Sequence, residues 1–325
     1  MAALGETIRQ IRRNKGLTLA EVADEQVTAS FLSKFERGVT DMGTDRFLHI
    51  LNRIHTTPEE FFYIHLGTTA EKKASQDGYY NRTAMFQSLF GHSLHITSTA
   101  EAQQTLANLT VWEKEASERY LTTPSLLNML YWRAQQLMKQ DVTDLIQKKP
   151  FGDSHGTAQF SNEARQYLYN VNDWGEFEIY VFAIFAVDMR PTDERRLFQV
   201  ALTRSKKYSS FPGAPKLRFN IIFNQLFLEM NRQAYAFVEA DLPQYADLLT
   251  ADPNAEQEIW YRFIRAWWLY RTDRPAEAAA LGERTVKLAT TLRMTKLAQF
   301  VQSVLASVAT QGPEQDYTFF QQTVV

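Results

Sequence analysis

The chain has 325 residues, no cysteine and a formal net charge of −2. The missing cysteines exclude disulfides, thiol catalysis and cysteine-ligated metal sites, and so small a charge excludes a generic polyanion binder. Apolar residues make up 45%, ample for a buried core, while 13 glycines and 10 prolines are few enough to favour a largely helical protein. No signal-peptide pattern opens the chain and no apolar run reaches transmembrane length, so a cytoplasmic protein without membrane contact is the expectation.

In chain order, Leu4, Ile8 and Ile11 recur at helical spacing, with Arg9, Arg12, Arg13 and Lys15 beside them. Thr18 is placed to cap a short helix, and Glu21 three residues on completes a capping box. Leu19, Val22 and Ala23 give that helix its apolar stripe. A second short helix, closed by Gly38, buries Phe31, Leu32 and Phe35 and leaves Thr28, Ala29, Ser30, Ser33, Lys34 and Arg37 on its remaining surface. Phe47, Leu48, Leu51 and Ile54 predict a fourth helix, and Thr57 caps a fifth that starts at Pro58.

Two short helices presenting small, hydroxyl and basic side chains are what a helix-turn-helix requires. Its second helix enters the major groove with N-terminal residues at the base edges. Residues 1–66 hold 8 Lys plus Arg against 9 Asp plus Glu, so a DNA surface must come from local placement. Ser30, Lys34 and Arg37 are the candidate base contacts, flanked by Thr28 and Ser33. Arg9, Arg13, Lys15 and Thr18 are the candidates for holding the phosphate backbone. Modest charge per subunit suits a homodimer on a two-fold double-stranded operator.

The fragments Ile8-Arg9-x-x-Arg12, Leu17-Thr18 and Ser33-Lys34-Phe35-Glu36-Arg37-Gly38 resemble the XRE (phage-repressor-like) DNA-binding domain. That resemblance implies an Arg12–Glu36 pair, which gives Arg12 a structural role rather than a DNA contact.

Beyond residue 70 helical periodicity continues. Candidate helices are 72–90, 99–120, 124–139, 158–171, 174–188, 192–208, 214–232, 233–249, 255–271, 275–290 and 293–310. Breaks fall at Pro150-Phe151-Gly152, Arg190-Pro191, Phe211-Pro212-Gly213-Ala214-Pro215, Asp252-Pro253-Asn254 and Arg274-Pro275. Successive helix pairs predict an α-solenoid. Trp260-Tyr261-x-Phe263-x-x-Ala266-Trp267 leading into Arg274-Pro275-Ala276-Glu277-Ala278 is similar to tetratricopeptide repeats, in degenerate form. The expected organisation is all-α: a five-helix domain over 1–66, a linker at 67–75, and a tetratricopeptide-like repeat domain over 76–325.

The segment Val171-Asn172-Asp173-Trp174-Gly175-Glu176-Phe177-Glu178-Ile179-Tyr180 reads as a helix capped by Asp173, with Phe177, Tyr180, Val181 and Ile184 on its apolar face. Joined to the XRE-like start, it resembles the Rgg (Rgg/GadR/MutR) family of transcriptional regulators. The resemblance implies a homodimer that binds DNA and, in many members, a short signalling peptide on the repeat domain, as in quorum sensing. It also matches Asn224 to an asparagine of the peptide groove. Independently, Asn220, Asn224 and Asn231 share one helix face, and a side-chain amide can both donate to and accept from a peptide backbone. The same asparagines could instead cap loops or pair with neighbouring helices.

Two positions depart from the family pattern. Val187 stands where an arginine is implied, leaving Arg190 or Arg265 as the basic groove residue, and Thr44 stands where some members have cysteine. His92-x-x-His95 lacks a third metal ligand, and the adjacent residues Asp153-Ser154-His155 cannot form a catalytic triad. No enzyme activity, cofactor or metal is expected. Two other readings remain at this point. In one the repeats only dimerise or contact a protein such as RNA polymerase; in the other the chain is a scaffold with a vestigial helix-turn-helix.

Overall fold

A computed structural model describes residues 4–66, 99–147, 149, 155–206 and 214–316. Every regular element among them is helical, and the chain divides into two compact units, 1–84 and 85–325. The expected linker 67–75 and helix 72–90, His92, His95, Asp153, Ser154 and the 150–152 break lie outside the described residues.

The first unit contains α1 (Leu4–Asn14), α2 (Leu19–Val22), α3 (Ala29–Glu36), α4 (Thr44–Arg53) and α5 (Pro58–Leu66). Ile8, Ile11, Val22, Val27, Leu32, Phe35, Ile50, Leu51, Ile54 and Phe61 form its core. α1 crosses α3 at Gly5, where a Cβ would stand 1.9 Å from the Phe35 carbonyl oxygen, so only glycine permits this approach. α2 is a single turn. Its C-cap Ala23 is extended, and the Asp24 carboxylate then folds the 24–27 turn by accepting from the N–H groups of Gln26 and Val27. α3 ends at Gly38, whose φ of 69° lets Gly38 and Val39 donate to the carbonyls of Phe35 and Lys34 in a Schellman turn.

The second unit is an array of α6 (Thr99–Thr122), α7 (Leu126–Gln147), α8 (Asn162–Asn170), α9 (Glu176–Phe185), α10 (Pro191–Ser205), α11 (Ala214–Asn231), α12 (Tyr235–Ala251), α13 (Ala255–Arg271), α14 (Pro275–Thr291) and α15 (Thr295–Thr310). Sequential neighbours pack together. The alternate helices α7, α9, α11, α13 and α15 also touch in succession, as a helical-repeat array requires.

Two expectations need correction. The helix expected over 124–139 continues to Gln147, because nothing in Lys139-Gln140-Asp141 breaks it and Val142, Leu145 and Ile146 pack toward α6. The N-cap position of α9 is Gly175 rather than Asp173. Trp174 is fully buried, with its indole Nε1 donating to the Leu168 carbonyl at 3.2 Å, and the helix starts only after Gly175. The Gly175 N–H is satisfied by the Glu178 carboxylate at 2.6 Å. The core face of α9 is Ile179, Val181, Phe182 and Phe185; Phe177, Tyr180 and Ile184 are half-buried.

Three connections, α11 to α12, α13 to α14 and α14 to α15, are turns with Gln233, Asp273 and Arg293 at φ of 56°, 57° and 59°. Each of these residues sits in the left-handed region, where a side chain costs about 1–2 kcal/mol. Gln233→Gly and Arg293→Gly are therefore each expected to stabilise the array by about 0.5–1 kcal/mol after the entropic cost of glycine. The denaturant midpoint at unchanged m-value checks this.

Candidate functional site

On α3 the buried residues Leu32, Phe35 and Glu36 lie opposite Ser30, Lys34 and Arg37, which are exposed on one face. Thr28 caps the helix by accepting from the Phe31 N–H at 3.2 Å, and Ser33 is half-buried. Thr18 makes the full capping box with Glu21, so both threonines act first through their helix ends. Arg9 and Arg13 are exposed one turn apart on α1. Lys15 is already engaged: its Nζ donates to the His55 carbonyl at 2.6 Å and to Thr56 Oγ1 at 2.9 Å, leaving one donor for a phosphate.

Three acidic residues of this unit, Glu21, Asp24 and Glu36, are drawn into structural bonds. Arg12 donates from Nε to Glu36 Oε1 at 2.6 Å and from Nη2 to Oε2 at 2.8 Å, a buried bidentate pair that raises the Arg12 pKa. The pairing implied by the XRE resemblance is present. Asp24 meets His49 at 2.6 Å, and that contact holds its carboxyl below the usual range. Arg46, which sequence reasoning passed over, stacks over Phe31 of α3 at 5.4 Å and adds a cation beside the exposed face. Only its place on the first turn of α4 hinted at this.

In the array, Asn220 is exposed and Asn224 half-buried on α11. Asn231 is buried and has turned onto its own helix, donating to the Phe227 carbonyl at 2.8 Å. Phe223 and Phe227 lie on the same helix, one residue before and three residues after Asn224. Phe223 packs edge-on against Trp260 of α13 at 5.2 Å, and Trp260 reaches Phe300 of α15 at 5.5 Å. Phe227 meets Trp267, which adjoins Phe263. A row of aromatic rings thus crosses the alternate helices α11, α13 and α15, starting from the helix that carries Asn220 and Asn224.

The basic candidates do not join that row. Arg190 is exposed, and its carbonyl caps α10 by accepting from the N–H groups of Asp193 and Glu194. Arg265 is exposed five residues after Trp260, roughly 140° around α13. It lies near Glu277 of α14, whose carboxyl is held low first by Arg274 and also by Arg265. Near Val187 stands Arg232, in the turn just after α11, which donates to the carbonyls of Ala186, Val187 and Met189 and pairs with Glu194 at 2.8 Å. Behind Asn224, Gln225 donates to Glu229, and Arg195 bridges Glu229 and Asp241. Burial pushes the Glu229 carboxyl up to about 8, against the pull of Gln225.

One unit thus presents the exposed polar face of α3, and the other is a helical-repeat array crossed by a row of aromatic rings. Residues 112–302 match the family model described as the C-terminal domain of the HTH-type transcriptional regulator Rgg. That is more than half of the chain, and the protein belongs to the Rgg family of transcriptional regulators, not to an enzyme family.

Solved structures agree on the fold. A transcriptional-regulator candidate from Listeria monocytogenes EGD-e matches at TM-score 0.71 and 17% identity, over 94% of this chain and 97% of that one. The SHP pheromone receptor Rgg2 of Streptococcus dysgalactiae matches at 0.60 and 14%, over 94% and 99%. The PrgX protein of a PrgX/iCF10 complex matches at 0.62 and 10%, over 95% and 96%.

Proposed function

We propose that the protein is a cytoplasmic, homodimeric transcriptional regulator that binds a two-fold DNA operator through α3 and is gated by a short peptide held at the aromatic row beside Asn220 and Asn224. The observation that carries the DNA reading is the exposed Ser30–Lys34–Arg37 face, set opposite a buried Arg12–Glu36 brace. The peptide reading is supported by the half-buried Asn224 on the helix that carries Phe223 and Phe227, and by fold relatives described as a pheromone receptor and as a bacterial peptide pheromone/receptor complex. Peptide changes DNA affinity only if it binds one dimer geometry better than another.

Binding of the chain to its own upstream intergenic DNA across a salt series tests the first part. Lys34→Ala combined with Arg37→Ala is expected to weaken the specific complex at least about tenfold and to relax its preference for the operator, whereas Arg9→Ala at the phosphate backbone is expected to reduce the salt slope by about one. DNA binding that is absent or indifferent to salt would leave only a scaffold. Asn224→Ala is expected to weaken binding of the active peptide fraction from the source culture about tenfold, with DNA affinity unchanged. An Asn224→Ala chain of unaltered peptide affinity would move the peptide elsewhere, and an extract without effect on the wild type would favour an array that only dimerises or contacts RNA polymerase.

A further inference from the structure

Beyond the Asn224 row, α13 carries a second polar construction at its C-terminal end. Trp267 Nε1 donates to Asp316 Oδ2 at 2.9 Å and Arg271 Nε donates to the same oxygen at 2.8 Å, while Arg271 Nη2 takes Oδ1. Arg271 Nη1 is anchored on the Val308 carbonyl at 2.9 Å, which fixes the guanidinium plane. Asp316 is wholly buried. The Tyr235 hydroxyl lies beside the pair, buried and without a hydrogen-bond partner. Asp316 therefore engages an arginine fork and an indole and leaves a third donor unused.

A buried ion pair secures a chain segment no better than apolar residues of the same volume. What the pair offers that an apolar contact lacks is exchange of one carboxylate for another. The segment bearing Asp316 leaves α15 at Thr310 and reaches the site through the short turn Pro313–Gln315, so no long helix lies between α15 and the site. Trp267 is also the ring that meets Phe227, three residues from Asn224, so this site closes one end of the aromatic row.

We propose that Arg271, Trp267 and Tyr235 form an exchangeable carboxylate seat, filled by Asp316 in the resting chain and taken over by a side-chain or terminal carboxylate of a peptide lying along the aromatic row. Entry of that carboxylate releases the Asp316 segment, giving the ligand a contact that distinguishes two states of the array. The direction of the peptide rests on the reading of Asn224 above; the exchangeability of the seat does not.

The probe is a fluorescein-labelled synthetic peptide copying residues 311–318, added to the full chain and followed by anisotropy. In the wild type the tethered Asp316 competes at a high effective concentration, so the probe is expected to bind weakly. In the full-length Asp316→Ala chain it is expected to bind at least tenfold tighter. The same probe with asparagine in place of its aspartate is expected to lose that gain. If Asp316→Ala lacks the native helical circular-dichroism signal, the isosteric Asp316→Asn chain carries the test with the same expectation. A folded variant that binds both probes equally, or binds neither better than the wild type does, overturns the seat. This assay contains no signalling peptide, so its failure leaves the Asn224 site standing, and failure of the Asn224 test leaves the seat standing.

Discussion

Arg12→Ala is expected to cost about 3–5 kcal/mol, enough to unfold the first unit at ordinary temperature. The side chain of Glu36 is only 3% exposed, and removing Arg12 leaves that carboxylate buried without its two charge-assisted bonds. The Arg12 Nη1 bond to the Leu17 carbonyl at 2.7 Å, which ties down the turn after Gly16, goes as well. A domain of this size has a total stability of about 5 kcal/mol, so one such loss consumes most of it. Glu36→Ala should be comparable, and the double change Arg12→Met with Glu36→Leu should be markedly milder than either single change, since no orphaned charge remains. Arg13→Ala, exposed one residue along, should stay within about 0.5 kcal/mol of wild type. Denaturant unfolding with DNA binding as a second readout decides it. An Arg12→Ala chain that keeps wild-type stability would show that the brace holds nothing.

The helices of the first unit were legible because their signals are local. Thr18 with Glu21, Thr28, Gly38 and Pro58 each act within four residues of themselves, and the structure uses them as caps and stops. The array was legible wherever proline or periodicity marks an end, as at Pro191 and Pro275. Its internal turns were harder to read. Gln233 and Arg293 adopt left-handed backbone without glycine, so composition carries no trace of their conformation. The partners of Arg195 stand 34 and 46 residues away, and no spacing rule reaches that far. The asparagine face of α11 was visible from period alone, but the aromatic row that gives it a context depends on α13 and α15 stacking beside it. Arg265 fits a groove by residue type, and period alone could not say that it stands roughly 140° around α13 from Trp260.

Asp188→Ala is expected to cost the array about 3–5 kcal/mol. Asp188 is 1% exposed, and its carboxylate accepts from the N–H groups of Phe160 and Ser161, each at 2.8 Å, from the Gln159 N–H at 3.3 Å and from the Thr157 hydroxyl at 3.2 Å. α8 begins at the next residue, Asn162, so a side chain 27 residues downstream of Ser161 supplies the anion at this helix N-terminus. Ser161 occupies the cap position but makes no side-chain cap bond, and its hydroxyl is buried without a partner. The normal division of labour is therefore inverted. Ser161→Ala should be neutral or slightly stabilising, because it deletes an unsatisfied hydroxyl. Asp188→Ala strands three backbone donors that no neighbouring group replaces. Asp188→Asn keeps one acceptor oxygen and loses the charge, so it should cost about half as much. The Ala158 N–H bond to the Asp188 carbonyl at 2.7 Å survives every substitution, which confines the loss to the carboxylate. Urea midpoints of the three variants, with amide exchange at residues 159–161, measure the order directly. Equal stability of Asp188→Ala and Ser161→Ala would return the cap to Ser161 and remove Asp188 from any part in holding α8 against the end of α9.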